Sequence, residues 1–360
     1  MKPVSLREGS AGASRRCTSA TRRSRRRWCV GWAAWVLAAA CAPPSPAEST
    51  TPRGEASRPE VVAPPSPAPV PSATTSAAPS DGLQLIEEGD RAVLVNVEGA
   101  IQKYEQARRL RPLDHGLLWK LGRAYQKKED WEKTESTFAE AARLAPEYAN
   151  YHLWQGSASL KLVEEGDTSR LPAARAAFEQ CLKADPNYAE CHYYFGHAAM
   201  LAANDQVALE HFTRAIELDP TKAYFYPPLA ELYSVHKLYA EAQAVLQEGL
   251  AFIPQTEESR EDLFDMCMLL VQVAQTQGDR AKMIAAVEGA RKVAGDTHPE
   301  VSFILGSIYA TQPPVSPDKA AWQLKSFLKR ACRGSGAAKF KEQCEVAQSL
   351  LQRIGMAAVP

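Results

Sequence analysis

The chain has 360 residues, 45% of them apolar, with 42 basic and 42 acidic side chains and a formal charge of zero. That length accommodates one extended repeat array or one to two ordinary domains. The balance hides an asymmetry. The first forty residues hold nine Lys/Arg against Glu8 alone, which leaves 33 basic against 41 acidic residues in the rest. An acidic body excludes general nucleic-acid binding, which needs a basic footprint.

Residues 1–40 read as an export signal. Arg22 to Arg27 is a dense positive segment, and Trp28 to Ala40 is an apolar run ending in small residues. The run is too short to cross a bilayer as a stable helix. It closes on Leu37-Ala38-Ala39-Ala40-Cys41. This resembles the lipobox of bacterial lipoproteins, although the leucine stands four residues before the cysteine where the family has it three before. The resemblance implies that Cys41 becomes the lipidated first residue of the mature protein. An ordinary cleaved signal peptide with an incidental cysteine is the other reading. Residues 41–80 are rich in Pro, Ala, Ser and Thr, as in Ala63-Pro64-Pro65-Ser66-Pro67-Ala68-Pro69. Such a segment has no apolar face to bury and is expected to be a disordered, extended tether. Ala42 stands where an aspartate often retains such lipoproteins at the inner membrane. The resemblance therefore implies an outer-membrane lipoprotein facing the periplasm.

Helical periodicity occupies residues 81–358 and comes in hairpins. Leu83 to Val95 and Glu98 to Leu110 form a degraded first unit, with Ala100, Tyr104, Ala107 and Pro112 in its second helix and no clear glycine anchor in its first. The second unit has Leu121-Gly122, Tyr125, Phe138, Ala141 and Pro146, with Thr134 in place of a small alanine. The third opens at Tyr151 to Lys161 around Gly156, carries six extra residues within Val163 to Pro172, and continues with Ala174, Phe178, Cys181 and Pro186. The fourth repeats those last four anchors 34 residues later as Ala208, Phe212, Ala215 and Pro220, after Phe195-Gly196. The fifth keeps Leu229-Ala230, Tyr233, Ala242, Leu246, Gly249 and Pro254, with Pro227-Pro228 bending or delaying its first helix. Then the register slips. Gly278-Asp279 marks the next turn late, so Ser259 to Gln277 is a longer helix, followed by Met283, Val287 and Ala290. A seventh unit shows Leu305-Gly306, Tyr309 and a helix from Asp318 to Cys332, and Phe340 to Ile354 reads as a capping helix.

These anchors and their spacing resemble the tetratricopeptide repeat, a helix-turn-helix unit of 34 residues with the pattern W-x2-L-G-x2-Y, A-x3-F, A, P. The resemblance implies an all-α fold, a right-handed superhelical solenoid of about seven repeats. The physics agrees. Glycine in the first helix lets the second approach closely, the aromatic fills the space beside that contact, and proline ends the second helix because a helix interior rejects it. One hairpin cannot bury its apolar face alone, so neighbours must stack, and the last needs a cap.

No nucleotide-loop, zinc-protease, nucleophile-elbow or C-x-x-C motif is present. No enzyme, cofactor or small-molecule substrate is expected. The seven histidines are scattered; His192 and His197 are five apart and share no helical face as metal ligands would, and His152 and His192 read as packing residues. Function falls instead to the groove that the resemblance assigns to the first helices. The family's groove positions give Trp119, Arg123, Gln126 and Lys127 in the second unit, Tyr193, His197 and Met200 in the fourth, and Tyr224 and Glu231 in the fifth. A basic stretch with exposed aromatics suits a peptide segment or chain terminus. The alternative is that Trp119 and Tyr193 merely pack between adjacent first helices.

Cys181 and Cys191 lie symmetrically about Pro186, and Cys332 and Cys344 bracket Gly334-Ser335-Gly336 in the same way. Residues equally far from a turn between packed helices face each other, so both pairs are disulfide candidates in an oxidising compartment. Small buried thiols are the other reading, and Cys267 is left over. The sequence thus describes a non-catalytic envelope lipoprotein that holds a protein partner as a scaffold or assembly factor. Two further readings stay open: a pilotin-like factor for secretin or pilus assembly, and a non-catalytic subunit of an envelope enzyme complex such as one remodelling peptidoglycan.

Overall fold

The computed structural model describes residues 80–295, 297–333 and 337–355. The signal segment, Cys41 and the Pro-rich stretch to residue 79 lie outside the described residues. Within them are fifteen α-helices and no strand. Seven antiparallel hairpins follow one another in chain order: α1 (Ser80–Ala92) with α2 (Val97–Leu110), α3 (His115–Lys127) with α4 (Trp131–Leu144), and α5 (Ala149–Glu165) with α6 (Leu171–Ala184). Next come α7 (Ala189–Leu201) with α8 (Asp205–Leu218), α9 (Tyr226–Val235) with α10 (Tyr239–Phe252), α11 (Arg260–Thr276) with α12 (Arg280–Ala294), and α13 (Glu300–Thr311) with α14 (Pro317–Ala331). A last helix, α15 (Lys341–Arg353), packs on α13 and α14.

Local chemistry sets the helix ends. Asn96, Asp114, Asp130, Asn204 and Asp279 each cap a helix by accepting a hydrogen bond from the backbone N–H three residues on, at 2.9–3.4 Å. The turn inside a hairpin repeats one backbone solution, a single left-handed residue: Glu129, Ala203, Lys237 and Gly278, all near φ +60°. Of these four, only the residue of the sixth hairpin is glycine. Between hairpins, the second helix stops two residues ahead of Pro146, Pro186 or Pro220, as proline's missing N–H requires.

The glycine–aromatic contact is the centre of each well-formed hairpin. A Cβ placed on Gly122, Gly156 or Gly196 would meet the ring of Phe138, Phe178 or Phe212 at 2.8, 2.6 and 2.8 Å. Those three rings are fully buried, each worth about 1.5–3 kcal/mol of transfer free energy. The first hairpin does have its glycine, contrary to the sequence reading: Gly89 meets Tyr104. It was hidden because a shorter turn sets it one residue closer to its ring than in the second or fourth hairpin. In the fifth hairpin the roles are exchanged, with Gly249 on the second helix against Tyr226 on the first. The extra residues of the third unit form no long loop. They lengthen α5, turn at Gly166 (φ +120°) and add a short 3-10 segment, Thr168–Arg170. Arg170 there donates to Glu135 of the preceding hairpin at 2.8 Å, and Ser159 donates to the other carboxylate oxygen at 2.7 Å.

Apolar clusters overlap from hairpin to hairpin along the array, as stacking demands. At the C-terminal end, Cys344, Ala347, Leu350 and Leu351 of α15 are buried against hairpins six and seven.

Candidate functional site

The first helices α3, α5 and α7, with the 3-10 turn Ala223–Phe225 and α9, lie side by side and carry most of the residues singled out from sequence. At one end, Trp119 of α3 is half-buried, with its ring 5.6 Å from Phe138 and 5.8 Å from Tyr151 of α5. Arg123 is exposed along its length, yet its guanidinium lies 4.4 Å over the Trp154 ring and 5.9 Å from that of Trp119. It also donates to Gln126 Oε1 at 2.6 Å. Lys127, named as a groove residue, is exposed and donates to the Val93 carbonyl oxygen at 3.0 Å. Both cations of this stretch are therefore already engaged by the chain itself.

Two hairpins along, the lining changes. Tyr193 and Tyr224 stand nearly perpendicular, 83° apart with centroids at 5.0 Å, and Tyr193 also contacts Tyr194 at 5.1 Å and Phe225 at 5.1 Å. Trp119 and Tyr193 thus both pack between adjacent first helices while remaining partly open to solvent. His197 lies 4.6 Å from the Tyr193 ring and 5.2 Å from Phe212. Desolvation pushes its pKa down to about 4, against a weaker pull upward from Glu164, so the ring is neutral at pH 7. Met200 is half-buried beside the same cluster. Glu231 of α9 is open to solvent, yet surrounding protein raises its carboxyl pKa by desolvation.

Trp154 and Tyr194 were missed in the sequence. Each stands two residues before an anchor glycine, Gly156 and Gly196, and that shared offset was the available signal. The repeat's fourth position also gains a role. His152 and His192 sit on the carbonyls of Pro146 and Pro186, each at 3.0 Å, and the Tyr226 hydroxyl donates to the Pro220 carbonyl at 2.8 Å. They pack, as read, and they also satisfy the turn between hairpins.

Cys181 and Cys191 are joined as a disulfide across α6 and α7, and Cys332 and Cys344 across the end of α14 and α15, with Cα separations of 6.2 and 5.9 Å. Cys267 is buried and free, its thiol pushed up to about 11 by burial. Among the described residues no group of three or more His, Cys, Asp or Glu is placed to hold a metal, and no helix is long and apolar enough to cross a membrane. A hollow of about 300 Å³ lined by Tyr309, Asp318, Lys319, Trp322 and Gln323 lies on the seventh hairpin, outside the face described above.

Residues 163–223 match the family model described as tetratricopeptide repeat. No curated protein matches the chain. Among solved structures, the chain is similar to a tetratricopeptide repeat protein from Parabacteroides merdae, at 17% identity and a TM-score of 0.49 over 74% of this chain and 99% of that one. It is also similar to pilF of Pseudomonas aeruginosa, at 13% identity and TM-score 0.46 over 60% and 93%. A thermophilic repeat protein of Thermus thermophilus gives 20% identity and TM-score 0.43 over 52% and 99%.

Proposed function

Because the chain is a tetratricopeptide repeat array, we propose that the face formed by α3, α5, α7 and α9 holds an extended segment of a partner protein and performs no chemistry on it. The observation that carries this reading is the row of half-open aromatic rings, Trp119, Trp154, Tyr193 and Tyr224, set among charged groups on one side of the array. Half-exposed aromatics beside arginine are the side chains that dominate protein–protein binding energy, since they offer large apolar area at little conformational cost. Reversing Arg123 and Lys127 to Glu removes the cation over Trp154 and is expected to weaken partner capture from solubilised membranes. Surface changes of this kind shift stability by about 0.5 kcal/mol. Unchanged capture, or a much lower melting temperature, counts against the face.

The envelope reading rests on residues 1–80. The array is carried at the outer membrane, facing the periplasm, by a lipid on Cys41 and a Pro-rich tether. In that setting it serves as a scaffold or assembly factor for an envelope complex. Cys41→Ser is expected to move the protein from the membrane to the soluble fraction. Absence of lipid on the wild type after labelling cells with a fatty-acid probe removes the anchor.

A further inference from the structure

We propose that the corner made by Tyr193, Tyr224 and Glu231 receives a lysine or arginine side chain of the bound segment. The inference rests on the groove reading above and adds the chemistry of one subsite. Tyr193 and Tyr224 pack edge to face at 83° with centroids 5.0 Å apart and both rings half-exposed, and a cation is attracted to an aromatic face within about 6 Å of its centroid. Neither tyrosine hydroxyl has a hydrogen-bond partner among the described residues, so both are available to accept from an ammonium or guanidinium group.

The charges favour a cation. The strongest charges acting on the Tyr193 hydroxyl are the carboxylates Glu231 and Glu164, and those acting on Tyr224 are Glu190 and Asp219. Glu164 is already paired with Lys161 at 2.8 Å, and Glu190 faces Lys222 at 3.9 Å. Glu231 has no ion pair or hydrogen bond among the described residues. A carboxylate crowded by protein and left unpaired is unfavourable, and an incoming cation removes that cost.

The chain also places one of its own cations over aromatic rings on this face. Arg123 lies over Trp154 and beside Trp119 in the second and third hairpins. Among the described residues no lysine or arginine lies over Tyr193 or Tyr224. An acidic segment would meet four carboxylates here, and a wholly apolar one would leave Glu231 unpaired.

The test uses the full chain and a library of immobilised nonapeptides with degenerate flanks and a fixed central residue: lysine, arginine, norleucine, glutamine or glutamate. Wild type is expected to retain lysine- and arginine-centred peptides about tenfold more than norleucine-centred ones, through the charge-assisted contact. Glu231→Gln and Tyr224→Leu are each expected to abolish that preference, the first without changing the melting temperature because Glu231 is exposed and unpaired. Binding with no preference for a central cation overturns this inference and leaves the groove reading standing. A preference that survives both substitutions also overturns it. If wild type retains no peptide at all, the groove reading falls and this inference with it.

Discussion

The second and fifth hairpins share a scaffold and differ in what one position offers. The residue after the helix anchor is Arg123 behind Gly122 and Glu231 behind Ala230. Between them the same position is Ser157, which is buried, and His197, neutral at pH 7. The charge at this position therefore runs from positive through neutral to negative, although in the fifth hairpin the glycine and its ring beneath it have exchanged helices. At the positive end the chain's own guanidinium occupies its aromatic pair. At the negative end the aromatic pair and the carboxylate have no cation from the chain. Recognition is thus separated from folding: the glycine–aromatic contacts hold the hairpins, and the residue next to each anchor sets the chemistry.

The largest expected effect tests whether the second hairpin, which carries Arg123, and the fourth, which carries Tyr193, share one scaffold. Gly122→Val and Gly196→Val each place a Cβ 2.8 Å from a buried phenylalanine ring, with two methyl groups attached to it. Each should cost about 2–3 kcal/mol in denaturant titration, the upper range of overpacking. A difference between the two of more than about 1 kcal/mol would break the claim of a common scaffold. Gly196→Val should also displace Phe212, 6.1 Å from Tyr193, and so disturb the tyrosine corner first.

A smaller effect is expected between the two regions, where the Cys181–Cys191 bond ties α6 to α7. Replacing both cysteines with serine should lower stability by about 2 kcal/mol, the loop-closure contribution for so short a loop. Mass mapping of non-reduced peptides reads the bond directly; free thiols on both residues would leave the pair as packing only.

The smallest effect concerns pH. His192 and His211 face each other with Nδ1 atoms 3.0 Å apart, and His192 Nε2 is held by the Pro186 carbonyl. Desolvation, then the neighbouring His192, pushes His211 down to about 4, and desolvation lowers His192 as well. A folded-state value below the unfolded one means the unfolded chain takes up more protons. The stability is therefore complete above about pH 6.5 and lost as pH falls towards 4. After discounting for partial exposure the loss is about 1 kcal/mol. His211→Gln should flatten that part of the stability profile relative to wild type; an unchanged slope would place the titration elsewhere.

Much of the architecture was legible because its anchors are steric. Gly122, Gly196, Phe138, Phe212 and the prolines after each second helix are demanded by backbone approach and by proline's missing donor, and such demands leave residue identities behind. Gly89 and the exchanged pair Gly249–Tyr226 were harder to see, because a ring and a glycine can trade helices or shift by one residue and still fit. The face was less legible. Periodicity gives the direction of a side chain but not its partner, so the contact of the exposed Lys127 with the Val93 carbonyl was not readable. Trp154 lay off the expected groove positions and became visible only when Arg123 was found over it.

The spacing of those anchors also bears on how fast the chain folds. The glycine and its ring are sixteen residues apart in the second and fourth hairpins and twenty-two apart in the third. Loop closure scales as (3/2)RT ln n, so the longer hairpin costs only about 0.3 kcal/mol more to bring together, less than a twofold slowing. Every such contact is local, and local contacts favour rapid folding that can start in more than one hairpin. The six-residue insertion is thus nearly silent in the folding rate, while it supplies Arg170 to brace the neighbouring hairpin.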